Sequence, residues 1–223
     1  QYPDRGECFR CHTDAAGFAL GPEISQLNRT LTYPQTSLKA NQLATLEHIG
    51  MITGGLPDNP GQLDALAGID DQHHAATRRA RGYLHSNCAG CQRGEGPTQS
   101  TMDLRYQASR VDMNVCNMTP LLGDMGIATA KLLDPGSPST SLLVQRPAST
   151  DPLWRMPPLG TSVVHNDAIA LLEDWVRSAT ACAPESDADL DRVPDDVDNC
   201  PTVSNPDQSD RDRDSVGDLC DAD

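Results

Sequence analysis

The sequence predicts a mainly α chain, rich in loops, that ends in an extended Asp-rich tail. Three observations predict it. Apolar residues recur at helical spacing in three segments. Seventeen Gly and seventeen Pro interrupt the rest of the chain. From Asp187 to Asp223 there are thirteen Asp against three Arg, and neither apolar period runs through them.

The elements follow in order. A first helix is placed at Ser37 to Ile49, with Leu38, Leu43, Leu46 and Ile49 as its stripe and Gly50 as its stop. Residues 54–70 read as loop around "GGLPDNPG". A second helix fits Ala75 to Asn87, buried through Ala76, Ala80, Tyr83 and Leu84, and it leads into "CAGCQ" at 88–92. Residues 93–165 are loop-rich, with a short helix starting near Ser141 in "PGSPSTSLL". A last helix spans Asp167 to Ser178, capped by Asn166 and apolar at Ile169, Leu172, Trp175 and Val176. Composition changes after Cys182. The expected regions are therefore 1–80, 81–183 and 184–223.

Only 37% of residues are hydrophobic and 4% aromatic, which is lean for a self-sufficient core. Small domains of this kind recruit disulfides, metals or a large cofactor. The net charge of −15 sits mostly in the tail and argues against nucleic acid as a partner, since phosphate binding needs a basic surface. No apolar run reaches the roughly eighteen residues of a membrane span. Gln1 is not an initiator Met, which points to processing or to a longer precursor. Eight cysteines occur. Two pairs have C-x-x-C spacing and four are isolated, a pattern of disulfides and of an oxidising compartment: periplasmic, extracellular or at the cell surface.

Cys8-Phe9-Arg10-Cys11-His12 is a complete C-x-x-C-H motif. Two thiols at this spacing can add to the vinyl groups of haem, and the adjacent imidazole becomes an axial ligand of the iron. The competing readings are a redox C-x-x-C, for which the βαβ context is missing, and a zinc site completed by Cys88 and Cys91. Cys88 and Cys91 repeat the spacing, but Gln92 stands where the histidine is expected. Met156, in "LWRMPPLG" at 153–160, lies where a loop would present an axial thioether, with a core filler as the alternative. Cys116 and Cys182 are expected to form a disulfide that ties the Met-bearing segment to the end of the last helix.

Residues 1–182 resemble bacterial dihaem c-type cytochromes. The resemblance rests on "CFRCHTDAAGFALG", "QLNR", "NQLATLEHIG", "YLHSNCAGCQRGEGPTQSTMDLRY", "PGSPSTSLL" and "RMPPL". It implies cytochrome c-like helical domains built around two covalent haem c groups, and electron transfer. One haem would use Cys8, Cys11 and His12; the other Cys88, Cys91 and Met156. Gln92 departs from the family's His. For the far side of the first iron the candidate is His48, with Met51 as rival. His85, three residues before Cys88, is a candidate to replace the missing imidazole.

The tail has a register. Asp187, Asp189, Asp191, Asp195 and Asp198 occupy positions 1, 3, 5, 9 and 12 of a twelve-residue loop, and Asp210, Asp212, Asp214, Asp218 and Asp221 repeat it. These are calcium-ligand positions, with the carbonyls of Val193 and Val216 at position 7. Neither loop has the usual glycine at position 6. The tail, with "DNCP" and "NPDQSD", resembles thrombospondin type 3 repeats, which implies Ca²⁺ binding and a Cys200–Cys220 disulfide.

The expected function is that of an extracytoplasmic multihaem cytochrome that transfers electrons and carries a calcium-binding structural tail. Its expected partners are redox proteins or neighbouring haem subunits, in a homo-oligomer, filament or extracellular array. The alternatives are a dihaem peroxidase-like enzyme and a structural or adhesive surface protein with vestigial haem.

Overall fold

The computed structural model describes the chain except residues 1–3, 10, 57–62, 73, 97, 99, 160, 180–181, 183–185, 192, 196–197, 206–207, 209, 212–215 and 223. In chain order the elements are α1 (Arg5–Cys8), α2 (Ile24–Leu27), β1 (Thr30–Tyr33), β2 (Leu38–Asn41), α3 (Gln42–His48), α4 (Ala76–Cys88), α5 (Leu142–Ala148) and α6 (Asn166–Ser178). Single 3₁₀ turns stand at Asp14–Ala16 and Pro138–Thr140.

This corrects the expected fold class. The chain is not a mainly α, cytochrome c-like helical domain. Among the described residues four of the six α-helices have seven residues or fewer. Most of the chain is turn and loop, joined by two disulfides. The physical reason lies between the helices. Asn114, Asn117, Gly123, Met125, Gly126 and Thr129 all take positive φ, so this stretch reverses repeatedly and cannot propagate a helix. The tail is not extended either. Asn205 is 1% exposed, and its N–H donates to Asp191 Oδ2 at 2.8 Å across fourteen residues.

The Ser37–Ile49 helix is also corrected. Its first part is β2, paired antiparallel with β1 from Thr30↔Asn41 to Tyr33↔Leu38. Helix begins only after Asn41, whose side-chain oxygen accepts from the Leu43 and Ala44 amides. Leu38 and Ile49, assigned to the buried stripe, are 64% and 60% exposed. The β-branched and aromatic run Thr30–Tyr33 offers a pairing edge that outweighs weak helical periodicity.

α4 and α6 match their expected positions to within a residue at each end. His165, not Asn166, holds the N-cap position of α6. The two helices pack together, and α5 packs on α6. Ala80 and Leu84 of α4 meet Leu171, Leu172, Trp175 and Val176 of α6, with Leu143 and Val144 of α5 in the same cluster. Cys116–Cys182 ties the loop before α5 to the chain beyond α6. Upstream the packing is thin. Among the described residues before Ala67, Leu43 is the one buried hydrophobic side chain, and the interior bond is polar: Asn41 Nδ2 donates to Asn28 Oδ1 at 2.8 Å.

Leu172 is fully buried between three helices, so Leu172→Ala should cost about 2–5 kcal/mol in denaturant unfolding. Ile49→Ala should change stability by less than about 0.5 kcal/mol. Equal effects of the two would contradict this placement of the core.

Candidate functional site

The two cysteine motifs share a pattern of backbone hydrogen bonds where both are described. In the first, the Cys11 and His12 amides donate to the Cys8 carbonyl at 3.2 and 3.0 Å. In the second, the Cys91 and Gln92 amides donate to the Cys88 carbonyl at 3.0 and 2.8 Å. Gln92 therefore occupies the backbone position that His12 holds in the first motif. His12 Nδ1 donates to the Phe18 carbonyl at 2.8 Å, which leaves the Nε2 lone pair for a metal. Cys8 and His12 are exposed and Cys11 is half-buried.

The end of α4 opens into a pocket of about 370 Å³, within the range of cofactor sites, about 300–1,000 Å³. Its walls are largely apolar, and Cys88, Cys91, Gln92 and Met156 all line it. Met156 is positioned from α5, since its amide donates to the Arg146 carbonyl at 3.2 Å. Gln92 Oε1 accepts from the Thr98 hydroxyl at 3.2 Å, which fixes the amide. Burial first, and the neighbouring Cys91 second, push the Cys88 thiol up to about 12.

His85 does not face this pocket. The Tyr106 amide donates to its Nδ1 at 2.9 Å, which places the proton on Nε2, and Nε2 donates to Glu23 Oε2 at 3.0 Å. Both ring nitrogens are engaged and the residue is 5% exposed; it is a structural tie, not a substitute ligand. The tie joins α4 to the N-terminal region. Arg93 makes a second link, donating from Nη1 to the Ala15 carbonyl at 2.8 Å and from Nε to the Ala89 carbonyl at 2.6 Å. A Cβ at Gly90 would lie 2.9 Å from Leu20 Cδ2, so this glycine permits the two motif loops to touch.

His48 ends α3 and is exposed, and Met51 is 72% exposed. The four motif cysteines do not form a zinc cluster. Among the described residues the one group of three or more candidate ligands within mutual reach is Asp187, Asp189 and Asp191. That group belongs to the tail, where each carboxylate has a set task. Asp187 Oδ1 and Asp189 Oδ1 accept from the Asp191 amide, Asp191 Oδ1 accepts from Val193, and Asp195 Oδ1 accepts from Ala188. Asp198 Oδ1 accepts from the Cys200 amide and from Gln208 Nε2. Asp189 Oδ2 and Asp198 Oδ2 are buried with no hydrogen-bond partner, which is costly for a carboxylate. Burial, with the like charges of Asp191, Asp198 and Asp187, holds the Asp189 carboxyl above its ordinary range. Hydrogen bonds from Ser186 and Ala188 hold Asp195 below its own.

The second loop repeats the first where both are described. Ala188 N–H to Asp195 Oδ1 and Arg211 N–H to Asp218 Oδ1 are each 2.8 Å. Asp198 N–H to the Pro194 carbonyl and Asp221 N–H to the Gly217 carbonyl are each 2.9 Å. Asp210, Val216, Asp218 and Asp221 are described; Asp212 and Asp214 lie outside the described residues. Cys200–Cys220 is formed, joining the two loops.

Residues 181–208 match the thrombospondin type 3 repeat. This is a calcium-binding repeat, and the Asp187–Asp189–Asp191 cluster lies inside the matched stretch. The match covers the first Asp loop and stops before the second. No curated protein and no solved structure matches the chain.

The sequence alone did not single out Arg146, Thr98, Asn199, Asn205 or Gln208. The last three lie in "DNCP" and "NPDQSD", which entered only as motifs of the repeat resemblance, with no role for the single residues. In the unmodified chain, alkylation of Cys88 should be slow at pH 8 and rise about tenfold per pH unit towards 11, because the thiolate reacts and the thiol does not. A labelling rate already level above pH 9 would contradict the raised thiol of this half-buried cysteine.

Proposed function

We propose that this chain is an extracytoplasmic electron-transfer protein that holds haem through its two cysteine pairs and carries a calcium-stabilised repeat module. It would work in three regions, 1–80, 81–183 and 184–223. The observation that carries the reading is the pocket: Cys88, Cys91 and Met156, up to 68 residues apart in sequence, line one apolar cavity.

The residues present fit a haem. The pocket offers two thiols, apolar walls and a thioether. In the first motif His12 has its Nδ1–H committed to a carbonyl, which suits an axial imidazole. Cys8 and Cys11 would hold one haem, with His12 on the iron and His48 as candidate for its far face. Cys88 and Cys91 would hold the other, with Met156 on its iron. When bound, haem supplies one-electron redox chemistry. The chain supplies attachment, a low-dielectric wall and orientation. Arg93 and the Gly90–Leu20 contact join the two motif loops, which favours transfer between the sites. Redox proteins or neighbouring subunits of an array would exchange electrons at the exposed first motif.

Gln92 favours a second reading, peroxidase-like chemistry. No imidazole is among the described residues lining the pocket, so a haem held there by Cys88, Cys91 and Met156 would draw no second ligand from this lining and would be free to supply peroxide chemistry. Peroxide turnover by the isolated protein would favour it over simple transfer. A pyridine haemochrome assay on intact protein tests the main reading: two haems per chain are expected. Gln92→His should then raise the low-spin fraction of the second haem. A colourless protein would overturn the reading.

In the tail, Asp187, Asp189, Asp191, Asp195 and Asp198 with the Val193 carbonyl would hold one Ca²⁺. Asp210, Asp212, Asp214, Asp218 and Asp221 with the Val216 carbonyl would hold another. The buried oxygens of Asp189 and Asp198 that lack hydrogen bonds support the first site. The two disulfides and the repeat match support a place outside the cytoplasm. No helix among the described residues is long and apolar enough to cross a membrane.

Chelator should open residues 187–223 to protease while sparing the rest, and unchanged cleavage would contradict calcium as the tail's organiser. Protons should displace calcium as pH falls. The Asp189 carboxyl is raised, so it takes up its proton at higher pH than an ordinary carboxylate, and release should begin above the ordinary carboxylate range. A calcium affinity flat from pH 7 down to about 4 would contradict this.

A further inference from the structure

We infer that Arg146 anchors an acidic group of the molecule held in the apolar pocket, which for a haem is a propionate. This rests on the haem reading above and adds a binding residue to it.

Arg146 is the one charged side chain among the described residues lining the pocket. Its Nη2 donates to the Leu122 and Gly123 carbonyls at 2.8 and 3.0 Å, while its Nε is buried with no hydrogen-bond partner. Two carbonyl dipoles do not neutralise a guanidinium. A half-buried cation with no counter-ion among the described residues is costly to keep beside an apolar cavity. A carboxylate entering with the ligand supplies both the charge and the acceptor, and guanidinium matches carboxylate in geometry.

The backbone places this cation with intent to the site. The Arg146 carbonyl accepts from the Met156 amide, so one residue would hold the thioether loop by its main chain and the acidic group by its side chain. The other titratable groups around the pocket are Cys88 and Cys91 at the end of α4. Arg155, next to Met156, is engaged with the Pro158 carbonyl at 3.2–3.3 Å. No other residue of this set competes as counter-charge.

A purely structural Arg146 would only staple the Leu122–Gly123 turn, and the test separates the two roles. Mature protein is first assayed for haem content by mass, then titrated redox-wise between about pH 5 and 8, where a carboxylate left in an apolar wall comes to titrate. In the wild type the propionate paired with Arg146 stays ionised, and the midpoint of the second haem is flat with pH. In Arg146→Gln the carboxylate takes up a proton within this window, so the midpoint falls as pH rises, because the deprotonated group favours ferric iron. Arg146→Lys keeps the charge and stays flat. A flat Arg146→Gln profile with two haems present overturns the proposal and leaves the haem reading intact. Equal pH dependence in both variants also overturns it. One haem per chain overturns it together with the haem reading. If Arg146→Gln fails to take the second haem, recovery of that haem in Arg146→Lys supports the proposal and failure of both overturns it.

Discussion

The packing of α4 against α6 is the contact on which the rest depends. Ala80 and Leu84 on one helix and Leu172 and Val176 on the other are at most 1% exposed. That contact fixes the end of α4, where Cys88 and Cys91 begin a loop. α5, seated on α6, fixes Arg146 and through it Met156. Cys88, Arg146 and Met156 are therefore supported by helices of the main core. Among its described residues the N-terminal region has no comparable core. It hangs on α4 through Glu23–His85 and on the second motif loop through Arg93 and Leu20.

Charge is distributed in the same economical way. Arg78 and Arg81 are buried on α4, and Arg81 donates to the Tyr106 and Ala108 carbonyls, stacking over the Tyr106 ring at 5.7 Å. Through these carbonyls Arg81 ties the 106–108 loop to α4. In the Asp-rich tail both loops use carboxylate oxygens on backbone amides, and the first loop holds Asp189 Oδ2 and Asp198 Oδ2 buried without a donor. That division suits a hard cation, since amides fix the loop shape while Asp187, Asp189 and Asp191 each bring an oxygen within 4.8 Å of the others.

Parts of this were legible in the sequence, for physical reasons. α4 and α6 have thirteen residues each, α6 with a continuous apolar stripe and α4 with Ala76, Ala80, Tyr83 and Leu84 at helical spacing, and periodicity over that length identifies a helix. The Asp register was legible because calcium loops fix ligands by position, and the Cys116–Cys182 pair because few isolated thiols remained. The mainly α class was not legible, because positive φ at residues such as Asn114, Met125 and Thr129 leaves little trace in composition. The Ser37–Ile49 error came from Asn41, which reads as one polar helix position and in fact separates a strand from a helix. His85 looked like a possible ligand because spacing shows a turn of helix but not the Tyr106 amide that occupies its Nδ1. Met156 and the cysteines were found as motif residues. Arg146, in a helix with a proline inside it, gave no signal until the pocket placed it beside them.

The most direct test of the account is the mass of the proteolytic fragment that contains Cys88 and Cys91, taken from native protein without reduction. The account predicts that fragment with one haem joined through both sulfurs. The same fragment with no added mass and Cys88 joined to Cys91 as a disulfide would contradict it.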